Sequence, residues 1–292
     1  MPSQKDSFTG FSSVAIHSGH EDDGNNAHLT PIYASSTYVF ENAEQGMRRF
    51  NGEEKGYIYS RWGNPTMAEA EKKIAALESF KINDKHGNPL QLKTLLHASG
   101  MAALSTLLLG NLKTGDRILS HFSLYGGTQE LMEKVLPQLG IEAIIVDLRD
   151  LSKAEEAIKK DNKIKLLYLE TPANPTIQCV DIDELTKMGK RNNLMVAVDN
   201  TFATPYLQQP FKYGVDYVFH STTKFLNGHG TAIGGALIGK DIDYMETRMT
   251  KVHRLLGGNS NSFDAFLLTQ GMKTLEVRME RHCHNAMLVA KF

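Results

Sequence analysis

The chain alternates between short apolar runs and longer segments in which apolar residues recur every three or four positions. Apolar runs of roughly four to eight residues between turn residues are typical of buried strands, and the longer spacing is typical of amphipathic helices. The predicted strands are 94–98, 116–120, 143–147, 164–170, 194–199, 216–220 and 232–239. Because helical segments separate them, the sequence predicts an α/β fold with a mostly parallel sheet between two layers of helices.

The same pattern predicts the helices and divides the chain into three regions. Helical spacing occurs at 65–80, 100–110, 128–140, 152–161 and 181–192, and as one long helix over 263–292. Residues 1–65 are rich in Gly, Asn, Ser and Thr and predict an extended arm. Residues 66–258 predict one large α/β domain, and 259–292 predict a long helix leading into a C-terminal domain largely absent from this chain. No helix-stop residue follows Phe292, so we expect a further segment there.

Composition narrows the class of protein. The chain has 292 residues and a formal net charge of −1, which gives no basic field to attract nucleic acid or an anionic membrane. It has two cysteines, Cys179 and Cys283, too few for a secreted disulfide scaffold. The N-terminus lacks the apolar core of a signal peptide, and no run of about 18 apolar residues offers a membrane span. These features predict a cytoplasmic protein.

Reactive side chains follow four of the predicted strands, where an open parallel sheet binds its ligands. The segment 99–101 opens a helix after the first strand and offers backbone N–H groups to a phosphate. Asp199 ends a buried strand and needs a cationic or hydrogen-bonding partner. Lys224 follows the hydroxyls of 221–223, and a lysine amine with a suitably lowered pKa forms Schiff bases. A phosphate cradle, an acid for a ring nitrogen and an imine-forming lysine together indicate pyridoxal 5′-phosphate (PLP).

Each feature alone also has a plain structural interpretation. The stretch 221–224 is by itself a solvated turn, and a strand-terminal aspartate such as Asp199 is by itself a helix cap. Arg61 is by default a surface residue. His282 and His284 are two residues apart and face different sides of a helix, so no metal site is expected. Cys179 is expected to be a small buried apolar residue rather than a nucleophile.

Six motifs in order resemble one enzyme family. The stretches GYIYSRWGNPT, LYGGT, YLETPANPT, VDNTFATPYLQQP, HSTTKFLNGHG and KTLEVRMERHCHNA are similar to the Cys/Met-metabolism family of PLP-dependent enzymes, from about residue 14 to 292. That family includes methionine γ-lyases, cystathionine γ-synthases and lyases, and O-acylhomoserine sulfhydrylases. The resemblance implies the fold of PLP-dependent enzymes of fold type I, the aspartate aminotransferase-like fold.

The resemblance also implies roles for residues of this chain. Lys224 would hold PLP as a Schiff base, Asp199 would keep the pyridine nitrogen protonated, and Tyr125 would stack on the ring and act as acid or base. Asn174 would lie near the 3′ oxygen of the ring. The implied phosphate ligands are Ser99, Gly100, Met101, Ser221 and Thr223, and Glu170 would line the site. Tyr59 and Arg61 would reach the phosphate of a neighbouring subunit, which implies a homodimer as the smallest active unit and a homotetramer as the usual assembly.

The reaction stays open among members of the family. The stretches ETPANPT and GYIYSRWGNPT most resemble methionine γ-lyases, which favours elimination of a thiol from methionine or homocysteine to leave 2-oxobutanoate and ammonia. HGTAIGG and FDAFLLTQG resemble O-acylhomoserine sulfhydrylases, which favours replacement. Gly127 stands where methionine γ-lyases carry a cysteine. Family members are longer, and their final domain supplies an arginine for the substrate carboxylate, so these residues alone are expected to bind PLP but turn over poorly. A non-catalytic PLP-fold protein is the distant alternative.

Overall fold

The computed structural model describes residues 8–20 and 23–292, so part of the predicted N-terminal arm, 1–7 and 21–22, lies outside the described residues. One seven-stranded sheet organises the described chain, in the order β1-β7-β6-β5-β4-β2-β3. The strands are β1 Lys93–His97, β2 Arg117–His121, β3 Glu142–Val146, β4 Ile164–Glu170, β5 Met195–Asp199, β6 Tyr217–Ser221 and β7 Gly235–Gly239.

Strand direction brings four strand ends to one edge of the sheet. Strands β2 to β6 pair in parallel, and β7 lies antiparallel between β1 and β6. Two antiparallel pairings leave β1 pointing the same way as β6, so the carboxyl ends of β1, β4, β5 and β6 share an edge. The register pairs Glu170 with Asp199 and Asp199 with Phe219.

Helices cover both faces of the sheet. The first four are α1 Phe11–His17, α2 Ala43–Phe50, α3 Pro65–Glu78 and α4 Gly100–Asn111. Helix α5, Gly126–Glu130, continues through a π-helical turn, Leu131–Val135, and a 3₁₀ turn, Leu136–Leu139. The next helices are α6 Leu151–Lys160, α7 Ile182–Arg191 and α8 Thr204–Leu207, and a 3₁₀ turn follows at Pro210–Tyr213. The last are α9 Ile242–Tyr244, a π-helical turn Met245–Met249, α10 Thr250–Leu256, α11 Ser262–Met272 and α12 Leu275–Lys291.

The sheet divides the core into two apolar clusters. Along β5, Val196 and Val198 belong to one cluster and Ala197 to the other, as the two-residue period of a strand requires. Asp199 has the same parity as Ala197 and therefore points to the face that α4 covers. In the described part of the chain, no helix is both long enough and apolar enough to cross a membrane.

The structure confirms the α/β fold and every predicted strand, but one predicted helix is wrong. The single helix predicted over 263–292 is two helices, α11 and α12, with a break at residues 273–274. The hydroxyl of Thr274 donates to the carbonyl of Gly271 and caps the end of α11. Because the apolar spacing runs on through the break, the pattern of residues alone does not show it.

One prediction about burial is also wrong. Cys179 was expected to be buried, and its side chain is exposed. It lies in the loop between β4 and α7, where the neighbouring Val180 takes the buried position instead.

A buried lysine joins the N-terminal region to α3. The side chain of Lys73 is fully buried, and its ammonium donates to the carbonyls of Ala15, Ile16 and Ser18 at distances of 3.0, 3.1 and 2.6 Å. These carbonyls lie at the C-terminal end of α1, where they lack partners within the helix. Burial lowers the pKa of Lys73 from 10.5 to about 8.

Lys73→Met is therefore expected to lower the free energy of unfolding by about 2–3 kcal/mol, because it leaves buried carbonyls without a donor. Between about pH 8 and 10.5 the unfolded chain binds more protons at Lys73 than the folded chain, so rising pH stabilises the wild type. The stability gap between wild type and Lys73→Met should widen across that window in denaturant titrations. Exposed Lys251→Met serves as the control. A gap no larger than that of the control, or one that narrows with pH, would contradict this account.

Candidate active site

A cavity of about 270 Å³ opens at the edge where the four strand ends meet. Its walls come from the segments that follow β1, β4, β5 and β6, together with the start of α5. The residues that line it are Ser99, Gly100, Met101, Tyr125, Thr128, Glu170, Pro172, Asn174, Asp199, Thr201, Phe202, Phe219, Ser221, Thr223, Lys224 and Ile233. The cavity therefore combines hydrogen-bonding groups, two carboxylates and a lysine with flat and apolar side chains.

One end of the cavity is the N-terminus of α4. Ser99 caps this helix by accepting a hydrogen bond from the N–H of Ala102 at 3.1 Å. The N–H groups of Gly100 and Met101 belong to the first turn, where they have no acceptor within the helix, and the helix dipole is positive there. A Cβ at position 100 would lie 2.8 Å from the Cβ of Ser221, so glycine allows the helix start and the end of β6 to meet. This end has the form of a phosphate site.

The hydroxyl groups beside this end differ in what they can offer. The N–H of Ser221 donates to Oγ1 of Thr201 at 2.9 Å, which fixes the end of β6 against the end of β5. Thr223 lines the cavity, but its Oγ1 accepts from the N–H of Gly234 at 3.0 Å and donates to the carbonyl of Gly234 at 3.3 Å. To donate to a phosphate, Thr223 would have to give up the second of these bonds.

Asp199 places a desolvated carboxylate on the cavity wall. Its Oδ1 accepts the N–H of Thr201 at 2.9 Å, and burial raises its pKa above the ordinary value of 3.8. Within the described residues no lysine, arginine or histidine forms an ion pair with it. A buried carboxylate of this kind is stabilised by a cationic N–H group, and the protonated nitrogen of a pyridine ring is such a group.

Glu170 connects two loops of the cavity wall. Its carboxylate accepts the N–H of Tyr125 at 2.9 and 3.1 Å and the N–H of Asn174 at 2.8 Å. Burial, followed by the nearby charge of Asp199, raises the pKa of Glu170 to about 7, while the two N–H groups act in the opposite direction. Glu170 thus sets the positions of Tyr125 and Asn174 relative to β4.

Lys224 lies in the turn that follows β6. Its N–H donates to the carbonyl of Ser221 at 3.2 Å, and its own carbonyl accepts from Gly228 at 2.8 Å. The side chain reaches the cavity, and in the described part of the chain its amine has no hydrogen bond or ion pair. A lysine amine that is not held in an ion pair is available to react with an aldehyde in the cavity.

The cavity brings together ten of the twelve residues predicted for the site. The ten are Ser99, Gly100, Met101, Tyr125, Glu170, Asn174, Asp199, Ser221, Thr223 and Lys224. Tyr59 and Arg61 lie elsewhere: Arg61 donates to the carbonyl of Arg254 at 2.6 Å, and its guanidinium lies 5.2 Å from the centre of the Tyr59 ring. Their contact with a neighbouring subunit stays a prediction.

The remaining lining residues were not predicted. They are Thr128, Pro172, Thr201, Phe202, Phe219 and Ile233. Thr201 had a signal in the sequence, because it follows Asp199 by two residues and a hydroxyl there can bond to the next strand. Phe219, within β6, and Ile233, just before β7, resemble core residues in sequence, and only the folded structure places them at the cavity.

The residues present fit PLP by their chemistry. The start of α4 suits the phosphate, Asp199 suits a protonated pyridine nitrogen, and Lys224 suits an aldehyde. Tyr125 and Phe202 offer flat side chains near the space between these groups. One cavity thus provides each of the three functional groups of the cofactor with a matching protein group.

Comparisons with known proteins agree with this fit. A sequence profile described as Cys/Met metabolism PLP-dependent enzyme matches residues 12–292. The L-methionine gamma-lyase of Porphyromonas gingivalis is 42% identical over 285 residues, which cover 97% of this chain and 68% of that protein.

Solved structures share the fold. The crystal structure of MetB from Corynebacterium glutamicum superposes with a TM-score of 0.87 at 39% identity, covering 97% of this chain and 68% of that one. An O-acetylhomoserine (thiol)-lyase (MetY) structure from Campylobacter jejuni superposes with a TM-score of 0.85 at 33% identity, covering 97% of this chain and 75% of that one. The latter structure contains N′-pyridoxyl-lysine-5′-monophosphate.

Proposed function

The chain belongs to the Cys/Met metabolism family of PLP-dependent enzymes, and from that premise we propose that it cleaves a carbon–sulfur bond in the manner of a methionine γ-lyase. L-Methionine and water would yield methanethiol, 2-oxobutanoate and ammonia, and L-homocysteine would yield hydrogen sulfide in place of methanethiol. The observation that carries the proposal is the convergence of Lys224, Asp199 and the N-terminus of α4 on one cavity. When bound there, PLP supplies an electron sink for negative charge at the substrate Cα.

Lys224 has two tasks in this proposal. Its amine would hold the cofactor through the aldehyde, and it would become free once the amino group of the substrate occupies that position. The freed amine stays in the cavity, where it takes the proton from Cα and serves as the proton carrier between Cα and Cβ. This role fits an amine that is not neutralised by a neighbouring carboxylate in the described part of the chain.

Asp199 would act on the cofactor ring, and Tyr125 would act on the leaving group of the substrate. Asp199 would hold the proton on the pyridine nitrogen, which would maintain the electron demand of the ring. Tyr125 lies at the cavity with its backbone held by Glu170, so its hydroxyl can donate a proton to the departing sulfur. Asn174, held by the same carboxylate, is placed to bond the 3′ oxygen of the ring.

Replacement chemistry or cystathionine cleavage is the second candidate. The similarity to the structure of an O-acetylhomoserine (thiol)-lyase supports it, together with the stretches HGTAIGG and FDAFLLTQG. In this candidate the same residues release a carboxylate from an activated homoserine and admit sulfide or cysteine at Cγ, or release a thiol from cystathionine. The two candidates share every proton transfer that the cavity residues perform at Cα, so substrate assays must separate them.

The experiment incubates the full-length protein, loaded with PLP, with L-methionine, L-cystathionine, or O-acetylhomoserine plus sulfide. The proposal expects 2-oxobutanoate and methanethiol from L-methionine. Formation of homocysteine from O-acetylhomoserine and sulfide, with no 2-oxobutanoate from methionine, would replace the lyase assignment with the second candidate. Release of 2-oxobutanoate from cystathionine alone would contradict the preference for methionine.

The proposal extends to assembly and location. We place residues 1–65 as an arm toward a neighbouring subunit, where Tyr59 and Arg61 would meet its phosphate, followed by the large domain 66–258 and the helical segment 259–292. A homodimer is then the smallest active unit and a homotetramer the usual assembly. A cytoplasmic location fits the two cysteines, which are unpaired and exposed.

A further inference from the structure

We propose that Arg278, on α12, is a positioning residue for Lys224: it fixes the turn that carries the lysine and so sets where the amine enters the cavity. The inference rests on the proposed role of Lys224 as the lysine that holds PLP. Arg278 does not line the cavity, so it would act through the backbone and not by contact with the cofactor.

The guanidinium of Arg278 bridges three segments of the chain. Nη1 donates to the carbonyl of Phe225 at 2.7 Å, and Nη2 is 3.5 Å from the carbonyl of Leu226. Nη2 also donates to the carbonyl of Gly271 at 2.9 Å, and Nε donates to Oγ1 of Thr274 at 3.0 Å. One side chain therefore ties the two residues after Lys224 to the break between α11 and α12.

The hydrogen bonds of the turn explain why an external donor is needed. The carbonyls of Ser221, Thr222 and Lys224 accept N–H groups from within the turn. The carbonyls of Phe225 and Leu226 face α12 instead and have Arg278 as their donor. Both contacts are partly buried, where a backbone carbonyl needs a protein donor, so the conformation of the turn depends on a residue more than fifty positions away.

Charge makes these bonds stronger than ordinary ones. In the described part of the chain no carboxylate forms an ion pair with Arg278, and burial lowers its pKa below the ordinary value of 12.5. The partly buried cation is stabilised by these carbonyls, and charge-assisted hydrogen bonds are roughly twice as strong as neutral ones. The planar fork of arginine fits several carbonyls at fixed angles, which a lysine would not reproduce.

Two glycines near Arg278 lie where there is no space for a side chain. Gly228 has a φ of +73°, and a Cβ there would lie 2.0 Å from Nη1 of Arg278. On the other flank, a Cβ at Gly271 would lie 2.1 Å from the carbonyl oxygen of Asn227. Both glycines thus permit the close approach of the Lys224 turn to α11 and α12.

Aromatic contacts of Phe225 connect α12 to the wall of the cavity. The ring of Phe225 lies 5.3 Å from His282 on α12 and 6.2 Å from Phe202, which lines the cavity. Loss of the bond from Arg278 to Phe225 would therefore release a residue that packs directly behind the cavity wall. The expected consequence is a displaced Lys224 amine beside an otherwise intact binding site.

The test separates covalent capture from binding of the rest of the cofactor. Arg278→Met and Arg278→Lys are compared with wild type for the rate of PLP capture, measured by visible absorption and by borohydride trapping. Affinity for pyridoxamine 5′-phosphate, which has no aldehyde to react with lysine, reports the phosphate and ring contacts alone. We expect Arg278→Met to slow PLP capture about tenfold or more, since a small misplacement of a reacting group costs up to about a hundredfold. Pyridoxamine phosphate affinity should change less than about twofold, and Arg278→Lys should be intermediate.

Two further variants complete the test. Arg281→Met changes an exposed arginine of the same helix and should capture PLP at the wild-type rate. Gly228→Ala perturbs the same contact from the turn side and should also slow PLP capture, which keeps the test decisive if Arg278→Met does not fold. Equal losses of PLP capture and pyridoxamine phosphate affinity, or wild-type capture in both Arg278→Met and Gly228→Ala, would overturn the inference. A wild type that captures PLP at Lys224 but cleaves no sulfur amino acid would overturn the proposed reaction and not this inference.

Discussion

Replacing Lys224 with alanine is expected to lower turnover of the preferred sulfur amino acid by about 10²–10⁴-fold, the range for loss of a positioned acid–base group. The amine reaches the cavity, and in the described part of the chain no carboxylate neutralises it. It would both anchor the cofactor and carry the proton between Cα and Cβ of the substrate. The measurement is steady-state turnover with saturating PLP, together with the visible absorption of the protein–PLP complex.

Two controls sharpen this prediction. Lys212→Ala removes an exposed lysine elsewhere on the surface and should keep both turnover and the absorption of bound PLP. Added methylamine should restore part of the turnover of Lys224→Ala, because a small amine can enter the space that the side chain leaves. Unchanged absorption and turnover in Lys224→Ala would assign the cofactor to another lysine.

Asp199→Asn is expected to lower kcat by about 10²–10³-fold, comparable to the loss of one electrostatic group in an active site. The substitution keeps the size of the side chain and removes its charge, so the pyridine nitrogen would lose the partner proposed to keep it protonated. Covalent capture of PLP by Lys224 should persist, because the amine and the start of α4 are unchanged. Stopped-flow measurement of proton removal from Cα-deuterated substrate would locate the loss in the chemical step.

The carboxylate itself can be tested by partial rescue. Asp199→Glu restores the charge at a slightly different distance and should recover more activity than Asp199→Asn. Asp183→Asn, on the exposed surface of α7, provides a matched control that should leave kcat unchanged. If Asp199→Asn had the kcat of wild type, the proposed contact with the ring nitrogen would be wrong.

The sequence predicted which residues line the cavity most clearly where a reactive side chain directly follows a strand. Asp199 and Lys224 each come after a short apolar run, and parallel strands bring such ends to one edge, so their proximity follows from pattern alone. The places of Glu170 and Asn174 at the site came from the motif resemblance. The motif resemblance added Tyr125, which otherwise looks like part of a turn.

The sequence could not show features that depend on distant partners. The contact of Arg278 with Phe225 joins residues 53 positions apart, and no spacing rule connects an arginine to a backbone carbonyl. The break between α11 and α12 depends on Thr274 and its bond to Gly271, within an uninterrupted apolar pattern. The proposed role of Arg61 would involve a neighbouring subunit, so neither the pattern nor one chain can establish it.

The central claim is that the amine of Lys224 and the carboxylate of Asp199 serve one cofactor in one cavity. The most direct test incubates the wild-type protein with PLP, reduces it with borohydride, and identifies the modified peptide by mass spectrometry. We expect one phosphopyridoxyl group per chain, on Lys224 within the stretch HSTTKFLNGHG. A stable adduct on a different lysine, or none at saturating PLP, would contradict it.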